Sequence, residues 1–128
     1  MTREPRRRWT SEQRVLEELE RLGDESLRYA QVDYPAAAQE AAMAEAAHKT
    51  MRAKRVLLAR AEGEKSVAAA ELVAEADDAV ADAYLQRLAS SAKADSIREA
   101  LRSIRTNQDS LRTAAASHRS PIVGPGYQ

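Results

Sequence analysis

From Ser66 to Ser120 the chain contains neither proline nor glycine. A stretch of that length is free to run as one helix, because proline removes a helical hydrogen bond and glycine carries the largest entropic penalty in a helix interior. The four prolines and four glycines of the whole chain fall instead at a few points: Pro5, Gly23, Pro35, Gly63 and the segment from Pro121 to Gly126. The intervals between them are rich in Ala, Glu, Arg and Leu, the composition of long helices whose thin apolar stripes must be covered by other helices. The expected fold class is all-α: a long antiparallel helical hairpin with an additional N-terminal helix, coiled-coil-like and oligomeric.

The breaks divide the chain into a basic N-terminal arm over 1–9, a single helical domain over 10–119 with helices about 10–33, 35–62 and 66–118, and a flexible Pro/Gly tail over 120–128. Thr10 or Ser11 caps the first helix, which carries Val15, Leu16, Leu19 and Leu22, and Trp9 stands where a staple contact forms. Gly23 either ends this helix or only weakens it. Tyr34-Pro35 reads as a boundary, since the residue before proline is pushed out of the helical region and proline suits the first turn of a new helix. The second helix presents a face of Ala37, Ala41, Ala44, Ala47, Met51 and Leu58. Gly63 then reads as a C-terminal cap and Ser66 as the next N-cap, so helices two and three form a hairpin. Ser90-Ser91 is the expected weak point of helix three. Over 97–115, Ile97, Leu101, Ile104, Gln108, Leu111 and Ala115 follow a 4, 3, 4, 3, 4 spacing, a heptad rhythm. Ile97, Leu101, Ile104, Gln108 and Leu111 are the expected oligomerisation seam, or else a hairpin contact, with Gln108 selecting register.

Catalytic motifs are lacking. The chain has no cysteine, which excludes disulfides and thiolate metal sites and suits a reducing cytoplasm. It has no apolar run of about 18 residues and no signal-peptide pattern, so a cytoplasmic location without membrane contact is expected. His48 and His118 are far apart with no HExxH around them, and neither GxxxxGK[ST] nor GxGxxG occurs. Glu75, Asp77, Asp78 and Asp82 read as a solvated acidic face, or one that pairs with basic patches, rather than as a cation site. Ser66, Ser90 and Ser91 have no local base and fit caps or bends. The expectation is a protein that is not an enzyme and holds no cofactor and no metal.

Charge carries the remaining information. The net charge is zero, but the charges are segregated along the chain. Lys49, Arg52, Lys54, Arg55 and Arg60 stand together without an acid, and residues 62–82 are strongly acidic. Beyond them Arg98, Arg102, Arg105, Arg112 and Arg119 track one residue away from the Ile/Leu seam. Such stripes either contact phosphates or pair with acids of a neighbouring helix, where long Arg stems also cover apolar atoms. Tyr34, Trp9 and the "RRRW" run either stack bases or serve as packing anchors.

The order of a helical N-terminus, "EAAHKTMRAKRVLLARAEG", a glycine turn, and "SVAAAELVAEADDAVADAYLQRLASSAKADSIREALRSIRTNQDSLRTAAAS" resembles small phage proteins similar to the UvsY-type recombination mediators, over about residues 28–118. The resemblance implies a non-enzymatic homo-oligomer in the host cytoplasm. Such a protein binds single-stranded DNA and helps load a RecA-like recombinase onto strands covered by single-strand-binding protein. By the same resemblance the DNA-contacting helix maps to Lys49, Arg52, Lys54, Arg55 and Arg60, and assembly maps to Leu101, Ile104 and Leu111. Arg98, Arg102 and Arg105 form the second candidate DNA patch. The chain departs from the pattern in its alanine content, few aromatics and Pro/Gly tail. Two rival readings are a structural or scaffolding coiled-coil protein whose charges pair between subunits, and an adaptor or inhibitor that presents the acidic 62–82 face to a host protein.

Overall fold

The computed structural model describes residues 11–119. The N-terminal arm with Trp9, the 120–128 tail, and the side chains of His118 and Arg119 lie outside the described residues. What is described is helix throughout, apart from short turns: α1 (Ser11–Arg28), a π-helical turn (Tyr29–Asp33), α2 (Tyr34–Ala61), α3 (Val67–Ala76) and α4 (Asp78–Arg119). No strand occurs among these residues, and no helix is long and apolar enough to cross a membrane. The described residues fall into two compact units, one of residues 11–30 with 100–119 and one of residues 31–99.

One of the two open readings of Gly23 is seen, and one expected boundary differs from the structure. Gly23 lies inside α1 rather than at its end. The backbone also stays helical across Tyr34-Pro35, with Asp33 at φ −70° and ψ −45° and no side-chain cap. Proline in a helix lacks the N–H that would bond the carbonyl four residues back, here Gln31, and its ring crowds that carbonyl. The wider π turn over Tyr29–Asp33 encloses Gln31 and relieves the crowding without ending the helix.

The hairpin turn follows the sequence closely. Glu62 closes α2, Gly63 takes φ 117°, and the Glu64 and Gly63 N–H groups donate to the carbonyls of Ala59 (3.1 Å) and Arg60 (3.2 Å). This is the paired bonding of a Schellman end, which needs a residue at ease at positive φ. Ser66 starts α3, its Oγ accepting from the Ala69 N–H at 3.0 Å.

Helix three is not one helix. It breaks at Asp77, whose backbone is extended (φ −70°, ψ 129°) and whose Oδ1 accepts from the N–H groups of Ala79 (3.0 Å) and Val80 (3.2 Å). Asp is among the best N-caps, and two acceptor contacts let α4 restart without leaving its first N–H groups bare. The expected weak point Ser90-Ser91 is uninterrupted helix, and Ser90 is buried.

In the unit of residues 31–99, α2 runs antiparallel to α3 and the first half of α4. Arg98 donates to Tyr34 Oη (2.7 Å), Lys93 to Glu40 (3.2 Å), Arg87 to Glu45 (3.3 Å) and Arg55 to Asp77 (3.2 Å). The inward face of α4 is a heptad seam that begins at Val80 and passes through Ala83, Arg87, Ser90 and Ala94 before the Ile97 stretch. Only its large apolar second half was legible as a seam. The α2 face is also rotated from expectation: Ala37, Ala41 and Ala44 point inward, but His48, Arg52, Arg55 and Ala59 continue it, while Ala47, Met51 and Leu58 are exposed. The rotation follows from the partner surface, since Glu71, Glu75 and Asp77 offer the α2 arginines carboxylates across the hairpin.

In the other unit, Leu22 of α1 and Leu101, Ile104 and Ala115 of α4 are buried. A Cβ at Gly23 would stand 3.9 Å from Gln108 Nε2, so the seam's polar residue lies against the one position of α1 without a side chain. Of the expected seam, Leu101, Ile104, Gln108 and Leu111 belong to this unit, and Ile97 belongs to the unit of residues 31–99. Leu101 and Ile104 are buried within the single chain, and Gln108 and Leu111 are half-buried.

Candidate functional site

The basic half of α2 is split by its own geometry. At about 100° per residue, Lys49 and Arg60 share a direction to within about 20°, while Lys54 points about 120° away from Arg60. Arg52 and Arg55 take a third direction, into the hairpin. Arg52 lies 3.5 Å from Glu75 and 3.9 Å from Glu71. Arg55 donates through Nε to Asp77 Oδ2 at 3.2 Å, and its buried Nη1, 3.7 Å from Glu62, has no hydrogen-bond partner. Lys49 pairs with Glu45 on its own helix at 2.9 Å. Lys54 and Arg60 are exposed and have no ion partner among the described residues.

The residue that sequence reading missed is Asp77. One carboxylate oxygen caps α4 and the other receives Arg55, so the clip fixes the end of α2 to the junction of α3 and α4. The available signal was an Asp three residues before the buried Val80, the spacing of an N-cap, which was masked by the neighbouring acids.

The C-terminal arginines are divided between the two units. Arg98 belongs to the unit of residues 31–99, where its guanidinium also stands 5.5 Å over the Tyr34 ring and 3.8 Å from Asp95. Tyr34 is thus an arginine partner inside the hairpin. Arg102 and Arg105 belong to the other unit and are exposed, and Arg112 pairs with Asp109 at 3.3 Å.

A cleft of about 430 Å³ is lined by His48, Arg52, Glu75, Val80, Ala81 and Tyr84. Its polar groups are engaged with each other and their neighbours. Arg87 Nη1 donates to His48 Nδ1 at 3.2 Å, which makes that nitrogen an acceptor, and the Tyr84 ring packs 5.2 Å from the imidazole. The Glu45 carboxyl is held below the usual carboxylate range by its hydrogen bond to Lys49, helped by the charges of Lys49 and Arg87. Among the described residues no three His, Asp or Glu side chains are grouped to hold a metal ion, and Glu75 and Asp77 face arginines instead.

No protein-family model matches this chain, and no curated protein or solved structure matches it either.

Proposed function

We propose that this chain is a non-enzymatic, self-assembling helical accessory protein of structural or scaffolding type. One observation carries the reading. Six of the ten buried apolar side chains among the described residues are alanines, while twelve large apolar side chains remain exposed. Burial of apolar surface contributes about 25 cal/mol per Å², so a core of alanines supplies little and the exposed Leu and Met side chains hold most of the unused driving force. The intrachain pairing of Arg52 and Arg55 supports the same reading, because it removes two cations from the patch expected to meet phosphates.

A second reading, the single-stranded DNA mediator implied by the resemblance, is favoured by Lys54 and Arg60, exposed cations without an ion partner among the described residues. In that reading a RecA-like recombinase and single-strand-binding protein are the partners. One experiment separates the two: light scattering for mass, together with fluorescence anisotropy of labelled single-stranded DNA at low and high salt. The scaffold reading expects a mass above the 14.1 kDa of one chain and no DNA binding at either salt. DNA binding that falls steeply with salt, and that is lost in the K54E/R60E double variant, replaces it with the mediator. A monomer that binds no DNA refutes both.

A further inference from the structure

Both long helices of the unit of residues 31–99 carry a second apolar stripe, turned away from the seam they share. On α4, Ala81, Leu85, Leu88 and Ala92 repeat at 4, 3, 4 and are all exposed, Leu85 at 61%. On α2, Met43, Ala47, Met51, Leu57 and Leu58 cover the outward side, Met43 at 65% and Leu57 at 68%. A helix apolar on two faces packs on two partners. The hairpin provides one.

The charges left over identify the other. Most ionic groups of this unit are paired: Glu40 with Lys93, Glu45 with Lys49 and Arg87, Arg52 with Glu71 and Glu75, and Arg55 with Asp77. Apart from Glu64 and Lys65 in the hairpin turn, the charged groups of this unit without an ion partner among the described residues are Lys54 and Arg60 on α2 and Asp78 and Asp82 on α4. Lys54 stands within the outward stripe of α2, Arg60 points about 120° away from it, and Asp78 and Asp82 border the stripe of α4, so one stripe is apolar with a positive charge and the other apolar with negative charge. Like-with-like packing of two α4 helices would bring acids together; α2 against α4 brings opposite charges together.

We propose that a second copy of this chain covers these faces, the outward stripe of α2 in one copy packing antiparallel on the outward stripe of α4 in the next. When Met51 meets Leu85, Lys54 meets Asp82 and Met43 falls within one residue of Ala92, so one register brings the apolar stripes and the opposite charges together. The contact is heterologous: each copy offers a different face on each side, and repetition closes a ring or extends a filament. It rests on the self-assembly reading above and specifies which surfaces carry it.

The test uses the full chain, with sedimentation equilibrium for mass and circular dichroism to establish that each variant keeps its helix content. Wild type is expected to be oligomeric. Lys54→Asp and Asp82→Lys are each expected to weaken association at least tenfold, and the K54D/D82K double variant to recover it. Mixing the two single variants is also expected to restore assembly. In an alternating array every contact is then either Lys54 with Asp82 or the reversed pair, whereas contact between identical faces would only exchange one like-charge pair for another in each single variant and leave association unweakened. Wild-type oligomers indifferent to both single variants overturn this inference while leaving self-assembly standing. A wild-type monomer overturns both.

Discussion

The Asp77 clip makes a prediction whose size follows from the geometry. Asp77→Ala removes the acceptor for the Ala79 and Val80 N–H groups at the start of α4 and the partner of Arg55 Nε. Loss of an N-cap costs about 1 kcal/mol, within a range of roughly 0.5–2. The ion pair adds less than a buried one would, because the Arg55 and Asp77 side chains are 24% and 30% exposed; about 1 kcal/mol is appropriate after solvent screening. The total of about 2 kcal/mol corresponds to a urea midpoint lower by about 1 M at a slope near 2 kcal/mol/M. Asp77→Asn separates the parts, since Asn caps about as well as Asp but carries no charge, and is expected to cost about half as much.

The assay is urea unfolding followed by circular dichroism at fixed protomer concentration, because association shifts apparent stability. A double-mutant cycle with Arg55→Met is expected to give a coupling of about 0.5–1 kcal/mol. The reasoning fails if Asp77→Asn costs as much as Asp77→Ala, which would leave the cap without effect. It fails equally if the coupling is zero.

Three further outcomes follow. Gly63→Ala places a Cβ at φ 117° and is expected to destabilise by about 1 kcal/mol or more, read from the same urea curves. Gly23→Ala does the opposite: its Cβ would meet Gln108 Nε2 at an ordinary 3.9 Å within α1, so a gain of about 0.5–1 kcal/mol is expected, and a loss would show that Gln108 needs that gap. Because Lys49 and Arg87 lower the Glu45 pKa, the folded chain binds fewer protons at this carboxyl than the unfolded chain does. Its contribution is present above the ordinary carboxylate range and is lost as pH falls through the lowered value. Glu45→Gln is therefore expected to lower stability at about pH 7 and to lower it progressively less as the pH is brought below the usual carboxylate range.

Much of the fold was legible because it depends on residues with one structural meaning. Gly63 and Ser66 mark the turn, and Ile97, Leu101 and Ile104 mark a seam, through local chemistry that tertiary context did not alter. The break at Asp77 was harder to see, because the same carboxylate looks alike in a solvated acidic run and at a cap until its acceptor partners are known. The first half of the α4 seam was hidden for a different reason. Ala83, Arg87, Ser90 and Ala94 carry no apolar contrast, so a period of 3.5 cannot be read from them. The basic patch was visible as composition and misleading as a surface, since spacing along α2 does not reveal that Arg52 and Arg55 face Glu75 and Asp77.

An alanine seam raises the question of what sets its register. Sliding one alanine face along another exchanges similar contacts, so burial distinguishes poorly between registers, whereas the pairs Tyr34–Arg98, Glu40–Lys93, Glu45–Arg87 and Asp77–Arg55 each fit only one. Each exposed pair contributes little stability, yet four act together against every slipped arrangement. The cysteine-free sequence permits a direct test by cross-linking. Ala38 and Ala94 line the same cleft, and cysteines placed there are expected to join readily. Cysteines at Ala44 and Ala94 are expected not to join, because Ala44 lies six residues further along α2, about 9 Å at 1.5 Å per residue, beyond the roughly 7 Å Cα separation that a disulfide spans. Replacing Arg87, Lys93 and Arg98 with alanine should then let the slipped pair form at a rate approaching that of the native pair. If the native pair stays as strongly preferred in that background, the small side chains themselves hold the register and the charged ladder does not.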